Sequence, residues 1–132
     1  MDSTEATSSP FAGAAQTRFI TDRSSVITVV NDLPETPLVL NDYGVELGTC
    51  VNEPEARIPP GGSTTMRVGD KIGPLGTKAW IRYTIGRDGA EILITFDCPS
   101  VANNRVVAVP VGHATVGVYN TRGPLRAEVR IH

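Results

Sequence analysis

Two runs of strict alternation, separated by a four-residue turn, constrain this chain more than any other feature. Ala79, Ile81, Tyr83 and Ile85 take one side of the first run, while Lys78, Trp80, Arg82 and Thr84 take the other. That is the period-two signature of a half-buried strand. Gly86-Arg87-Asp88-Gly89 turns the chain, and a second run places Ile92, Ile94 and Phe96 against Glu91, Leu93, Thr95 and Asp97. The pair reads as an antiparallel hairpin. Asp97-Cys98-Pro99 ends it, because Pro99 lacks the amide hydrogen that a central ladder needs. The polar stretch Ser100 to Asn104 that follows is a candidate functional loop by position.

The rest of the chain repeats this grammar in shorter pieces. Thirteen glycines and ten prolines interrupt the 132 residues too often for long helices. Strands are expected over Ser24 to Asn31, Pro37 to Asn41 and Val45 to Val51, with Asn41-Asp42-Tyr43-Gly44 as a turn between the last two. Further strands are expected over Ser63 to Val68, Arg105 to Val109 and Ala114 to Tyr119, and over the clean alternation of Leu125, Ala127, Val129 and Ile131 against Arg126, Glu128 and Arg130. Pro59-Pro60-Gly61-Gly62 is a turn in which the prolines preset φ and the glycines permit positive φ. Eight or nine short strands, with turn signals about every ten residues, predict a single-domain, all-β, antiparallel sandwich of two packed sheets. The domain is placed at residues 18–132. Residues 1–17, rich in Ser, Thr and Ala, read as a flexible N-terminal arm.

Composition removes several functions. A net charge of −2 with scattered basic residues lacks the clustered cationic face of a nucleic-acid binder and gives no simple attraction to anionic lipid. No apolar run approaches the roughly twenty residues of a spanning helix, and no basic stretch precedes an apolar core at the N-terminus. The expectation is a cytoplasmic or non-classically exported protein, with membrane association left open. Cys50 and Cys98 are too few for a disulfide scaffold; they either pair across the sheets or serve as small buried hydrophobes. With no close cysteine pair and only His113 and His132 as histidines, no metal centre is expected. No cofactor is implied either, since Gly73 to Gly76 lack the lysine and helix of a phosphate loop. Asp97, Cys98 and His113 hold the groups of a nucleophilic triad, but adjacent strand residues point to opposite faces, so no enzyme is expected.

The order of the motifs is more distinctive than any one of them. It runs from a first strand ending Asn31-Asp32 through Ile58-Pro59-Pro60-Gly61, Gly73-Pro74-Leu75-Gly76, the long hairpin and Phe96-Asp97-Cys98-Pro99. An asparagine-bearing loop and a last strand Ala127-Glu128-Val129-Arg130-Ile131-His132 complete it. This order resembles the actinoporin and aegerolysin superfamily of small membrane-binding β-sandwiches, over residues 24–132. The Asp-Cys-Pro at Asp97, Cys98 and Pro99, the acidic pI and the missing signal peptide look more like the aegerolysin branch.

The resemblance implies binding of membrane lipid, often a sphingolipid head group, by loops at one end of the sandwich. It also implies pore formation, alone or with a larger partner protein. Such chemistry wants aromatic side chains at the water–lipid boundary. Here the chain departs from the pattern: aromatics are 5% of residues, the loop after Pro99 contains none, and the arm has too little apolar face for a pore-forming helix. The candidate lipid- or ligand-binding residues are therefore Trp80, the only tryptophan, with Tyr43, Tyr119, Asn103 and Asn104. The functional expectation is a cytolysin-like lipid binder that needs a partner or oligomerisation, including homo-oligomerisation, for any pore. The alternatives are a non-lytic protein-interaction module and a lectin on the same fold.

Overall fold

The alternating segments pair into two five-stranded sheets in a computed structural model that describes residues 22–70, 75–86 and 89–132. The ten strands among the described residues are β1 (Ser25–Asn31), β2 (Leu38–Leu47), β3 (Thr49–Asn52), β4 (Arg57–Ile58), β5 (Ser63–Gly69), β6 (Gly76–Ile85), β7 (Ala90–Pro99), β8 (Arg105–Val109), β9 (Ala114–Val118) and β10 (Leu125–Ile131). A three-residue 3-10 turn, Val111–His113, joins β8 to β9. The first sheet runs β3-β5-β1-β10-β9 and the second β4-β2-β6-β7-β8. The arm proposed for residues 1–17, and Gly73 and Pro74 of the glycine-proline motif, lie outside the described residues.

The core is what the alternation dictates. Ile27, Val29, Met66, Val68, Leu125, Val129 and Ile131 face inward from the first sheet. They meet Leu38, Ile81, Tyr83, Ile92, Ile94 and Phe96 of the second. Burying such side chains at about 25 cal/mol per Å² is the main force holding the sheets face to face. Buried polar groups are mostly paired across elements; among the described residues the exceptions are Arg23 Nε and Asn104 Oδ1. Ser25 on the first sheet hydrogen-bonds Thr77 on the second at 2.6 Å, and Thr77 donates on to the Arg23 carbonyl at 2.7 Å. Tyr83 donates its hydroxyl to the Glu55 carbonyl. Burial, then the nearby Glu55 charge, pushes that phenol well above its ordinary pKa.

The central hairpin forms in the expected register, with Ile81 opposite Ile94 and Trp80 opposite Thr95. One expectation is corrected. Asn41 to Gly44 is not a turn: β2 runs through it with a bulge between Leu40 and Asp42. The bulge turns two polar neighbours outward, where Asn41 bonds Glu91 and Thr84, and Asp42 bonds Arg82. Those partners satisfy side chains that would otherwise favour a turn. The break comes instead at Gly48, whose φ of +111° only glycine adopts readily. The sandwich also contains one parallel pair, β1 with β10, because the first and last strands lie side by side. The hairpin ends at Pro99 as expected, its last pair being Pro99 with Gly76, where a β-carbon would sit 2.6 Å from the Cys98 carbonyl. Of the two readings left open for the cysteines, the unpaired one holds: Cys50 and Cys98 are both free, and only Cys98 is fully buried.

Candidate functional site

The outward half of the hairpin alternation builds a surface on the second sheet. Across β2, β6, β7 and β8 the register aligns Gly44, Trp80, Thr95 and Val107 in one row, and Asp42, Arg82, Leu93 and Val109 in the next. Beyond the first of these rows stand Lys78, Asp97 and Arg105, with Glu46 3.8 Å from Lys78. Beyond the second stand Thr84 and Glu91. The result is a mixed band, apolar at Trp80, Leu93, Val107 and Val109, crossed by the Asp42–Arg82 ion pair and edged on both sides by charge.

Trp80 is fixed at the middle of that band. Its indole lies flat over Gly44: a β-carbon at that position would come within 2.7 Å of the ring. The Arg82 guanidinium sits 5.8 Å from the ring centroid, within cation–π range. Arg82 is itself held by Asp42, its Nε donating to Oδ1 at 2.8 Å and its second nitrogen to Oδ2. That fork-on-carboxylate contact, and then the Asp42 charge, raises the guanidinium pKa above its usual value. Trp80 is half-buried, Leu93 and Val107 are each 36% exposed, and Val109 is 53% exposed. A shallow hollow of about 360 Å³ opens beside them, lined by Glu46, Lys78, Thr95, Asp97, Arg105 and Val107. Among the described residues, no group of three or more His, Cys, Asp or Glu is placed to hold a metal ion. No helix among them is long and apolar enough to cross a membrane.

No family model and no curated protein matches the sequence. Among solved structures, the chain superposes on the lipid binding protein Nakanori with a TM-score of 0.70. That match covers 89% of this chain and 75% of the other at 13% identity. It also superposes on the RahU protein, solved in complex with a Tris molecule, with a TM-score of 0.63 over 86% and 97% of the two chains at 12% identity. This is an aegerolysin-like fold. The resemblance read from the order of turns is thus borne out in the arrangement of strands.

Within the aegerolysin-like sandwich the sequence-derived candidates separate. Trp80 and Asp97 share the outer face of the second sheet. Tyr43 does not join them: carried on β2 rather than on a turn, it points inward and packs against the core. Partial burial, then a hydrogen bond to Glu53, raises its phenol pKa. Tyr119 is 69% exposed but belongs to the opposite sheet, where its hydroxyl donates to Glu128 at 3.0 Å. Asn103 is exposed in its loop. Asn104 braces that loop: its side-chain nitrogen donates to the carbonyls of Asn120 and Gly123, and its backbone amide to Thr121. Cys98 points into the core and donates to the Gly123 carbonyl at 3.0 Å, and burial pushes its thiol up to about 11. The residues missed were Arg82, Asp42, Val107 and Val109. Leu93, an apolar residue on the polar side of the hairpin, was the available signal.

Proposed function

We propose that this protein is a non-enzymatic lipid binder that meets a membrane through the outer face of the second sheet. The observation that carries the reading is Trp80, laid on Gly44 within cation–π range of Arg82 and grouped with the exposed Leu93, Val107 and Val109. An indole of this kind suits the interface, where its apolar body and its N–H are both satisfied. The bounding charges suit a zwitterionic head group. Lys78 and Arg105 offer cations to a phosphate, and Glu46 and Asp97 offer carboxylates to a quaternary or primary amine, on either side of one hollow. A sphingolipid is the preferred class, because the likeness to a lipid binding protein accompanies a face with no net attraction to anionic bilayers. Binding by a flat sheet face inserts little of the chain, so any pore would need further copies or a larger partner.

Co-sedimentation with vesicles of phosphatidylcholine, with and without sphingomyelin and sterol, tests this. The expected result is pelleting with sphingomyelin, a blue shift of Trp80 emission, and loss of pelleting in Trp80→Ala. Absence of pelleting with every mixture would overturn it. A second reading, a protein-assembly module, is favoured by Val109 and Val111 at the β8 edge, which are 53% and 77% exposed. A stable oligomer without vesicle binding would select it.

A further inference from the structure

We propose that the outer face of the first sheet carries a second, separate site for a phosphate-class oxyanion, clamped between Arg67 and Arg126. The register places these two arginines on either side of Val26: Arg67 of β5 opposes it across one ladder, and Arg126 of β10 across the other. With strands about 4.8 Å apart, their Cα atoms stand about 10 Å from one another. Two guanidinium groups on such stems converge readily on one tetrahedral anion. A hollow of about 180 Å³ lies between them, with Val26 and Val51 among its apolar lining and Ser24 at its rim.

Among the described residues, the neighbouring carboxylates are engaged elsewhere and leave this pair without neutralising partners. Glu128, the next outward residue along β10, is engaged by the Arg130 guanidinium through one oxygen and by the Tyr119 hydroxyl through the other. Asp32 also goes to Arg130, at 3.0 Å. Asp22, near the mouth, accepts from the Ser24 amide. Among the described residues, neither Arg67 nor Arg126 makes an ion pair, whereas Lys78, Arg82 and Arg130 each do. Two like charges separated by a single strand repel, and an oxyanion between them removes that repulsion while using the fork geometry that arginine presents. Arg126 is partly positioned already, one nitrogen donating to the Leu125 carbonyl at 2.8 Å. The bound chemistry is a phosphate mono- or diester, or the equivalent sulfate. Because the two outer faces point in opposite directions, a flat bilayer on the Trp80 face leaves this site open to solution.

The test is a titration with inorganic phosphate at constant ionic strength, followed by the amide and arginine side-chain resonances in nitrogen-15 NMR. Saturable shifts are expected at Val26, Arg67 and Arg126, with Arg67→Gln and Arg126→Gln each weakening the affinity roughly ten- to a hundredfold, the loss of one charge-assisted contact. Arg57→Gln, on the edge of the other sheet, should leave the affinity unchanged; retained spectral dispersion reports that each variant is folded. Equal shifts with chloride, or unaltered affinity in the Arg67 and Arg126 variants, would overturn the proposal. Vesicles of phosphatidylcholine with phosphatidic acid then identify the source of the phosphate. Pelleting abolished by Arg67→Gln but not by Trp80→Ala assigns a lipid head group to this clamp and sinks the Trp80-face reading alone. Pelleting that follows Trp80 alone, with phosphate titration intact, assigns a soluble phosphate ester.

Discussion

The indole of Trp80 rests on Gly44, the residue directly opposite it on β2, and only the absence of a β-carbon there lets the ring lie flat on the sheet. Gly44→Ala should lift the ring away from the strand and from Arg82. We expect a stability loss of about 1–2 kcal/mol, the usual cost of an over-packed contact, measured by urea denaturation. Trp80 emission should shift to the red, and vesicle binding should weaken even though no charged residue has changed. An alanine variant with unaltered emission would contradict the stacked geometry.

Asn103 and Asn104 are neighbours with opposite expectations. Asn104→Ala removes the amide that ties the β7–β8 loop to the Asn120 and Gly123 carbonyls. It should cost about 1–2 kcal/mol, because the Asn120 carbonyl loses this donor and the Gly123 carbonyl keeps only the Cys98 thiol, and should raise hydrogen exchange at residues 119–123. Asn103→Ala, at an exposed position, should stay within about 0.5 kcal/mol of the parent. Equal effects from the two would contradict this assignment of roles.

The two thiols should differ in reactivity and, at high pH, affect stability. Without denaturant, a thiol reagent should reach the half-buried Cys50 and spare Cys98; in urea both should react. The folded chain holds the Cys98 proton up to about pH 11, whereas the unfolded chain releases it near the ordinary value of 9. The unfolded state therefore binds fewer protons in that window, and stability must fall as pH rises from 9 to 11. A loss of about 2 kcal/mol is expected, and Cys98→Ala should flatten the slope. The raised phenol of Tyr83 acts in the same direction above pH 10.

Asn31 is fully buried at the end of β1. Its side-chain nitrogen donates to the carbonyls of Thr36 and Ile58, and its oxygen accepts from the Leu33 amide. Asn31→Asp keeps the shape but sets a carboxylate against two carbonyl oxygens. The variant should lose about 3 kcal/mol at neutral pH and recover part of that in acid, where a protonated carboxyl can donate again. Chemical denaturation of parent and variant at pH 7 and pH 4 checks the sign. A variant penalised equally at both would place Asn31 outside this network.

Most of the sandwich is legible in the chain because a strand with one buried face must alternate, and alternation is written residue by residue. Ile81, Tyr83, Ile92, Ile94 and Phe96 on one side of the hairpin, and Leu125, Ala127, Val129 and Ile131 at the end, could face only the core. The same alternation put Trp80 on the outer face, and the same order of turns pointed to the aegerolysin-like arrangement. What it could not supply was pairing between distant segments. Whether Asn41 to Gly44 makes a turn or a bulge depends on whether Glu91, Thr84 and Arg82 arrive to satisfy it. That outcome decides the direction in which Tyr43 points. Trp80 became the centre of a surface, and Tyr119 was excluded from it, only when β2, β7 and β8 took their places in one sheet and β9 in the other. Local sequence specifies which side of a strand is wet. Only the tertiary fold decides which wet side chains become neighbours, because those neighbours come from strands far apart in the chain.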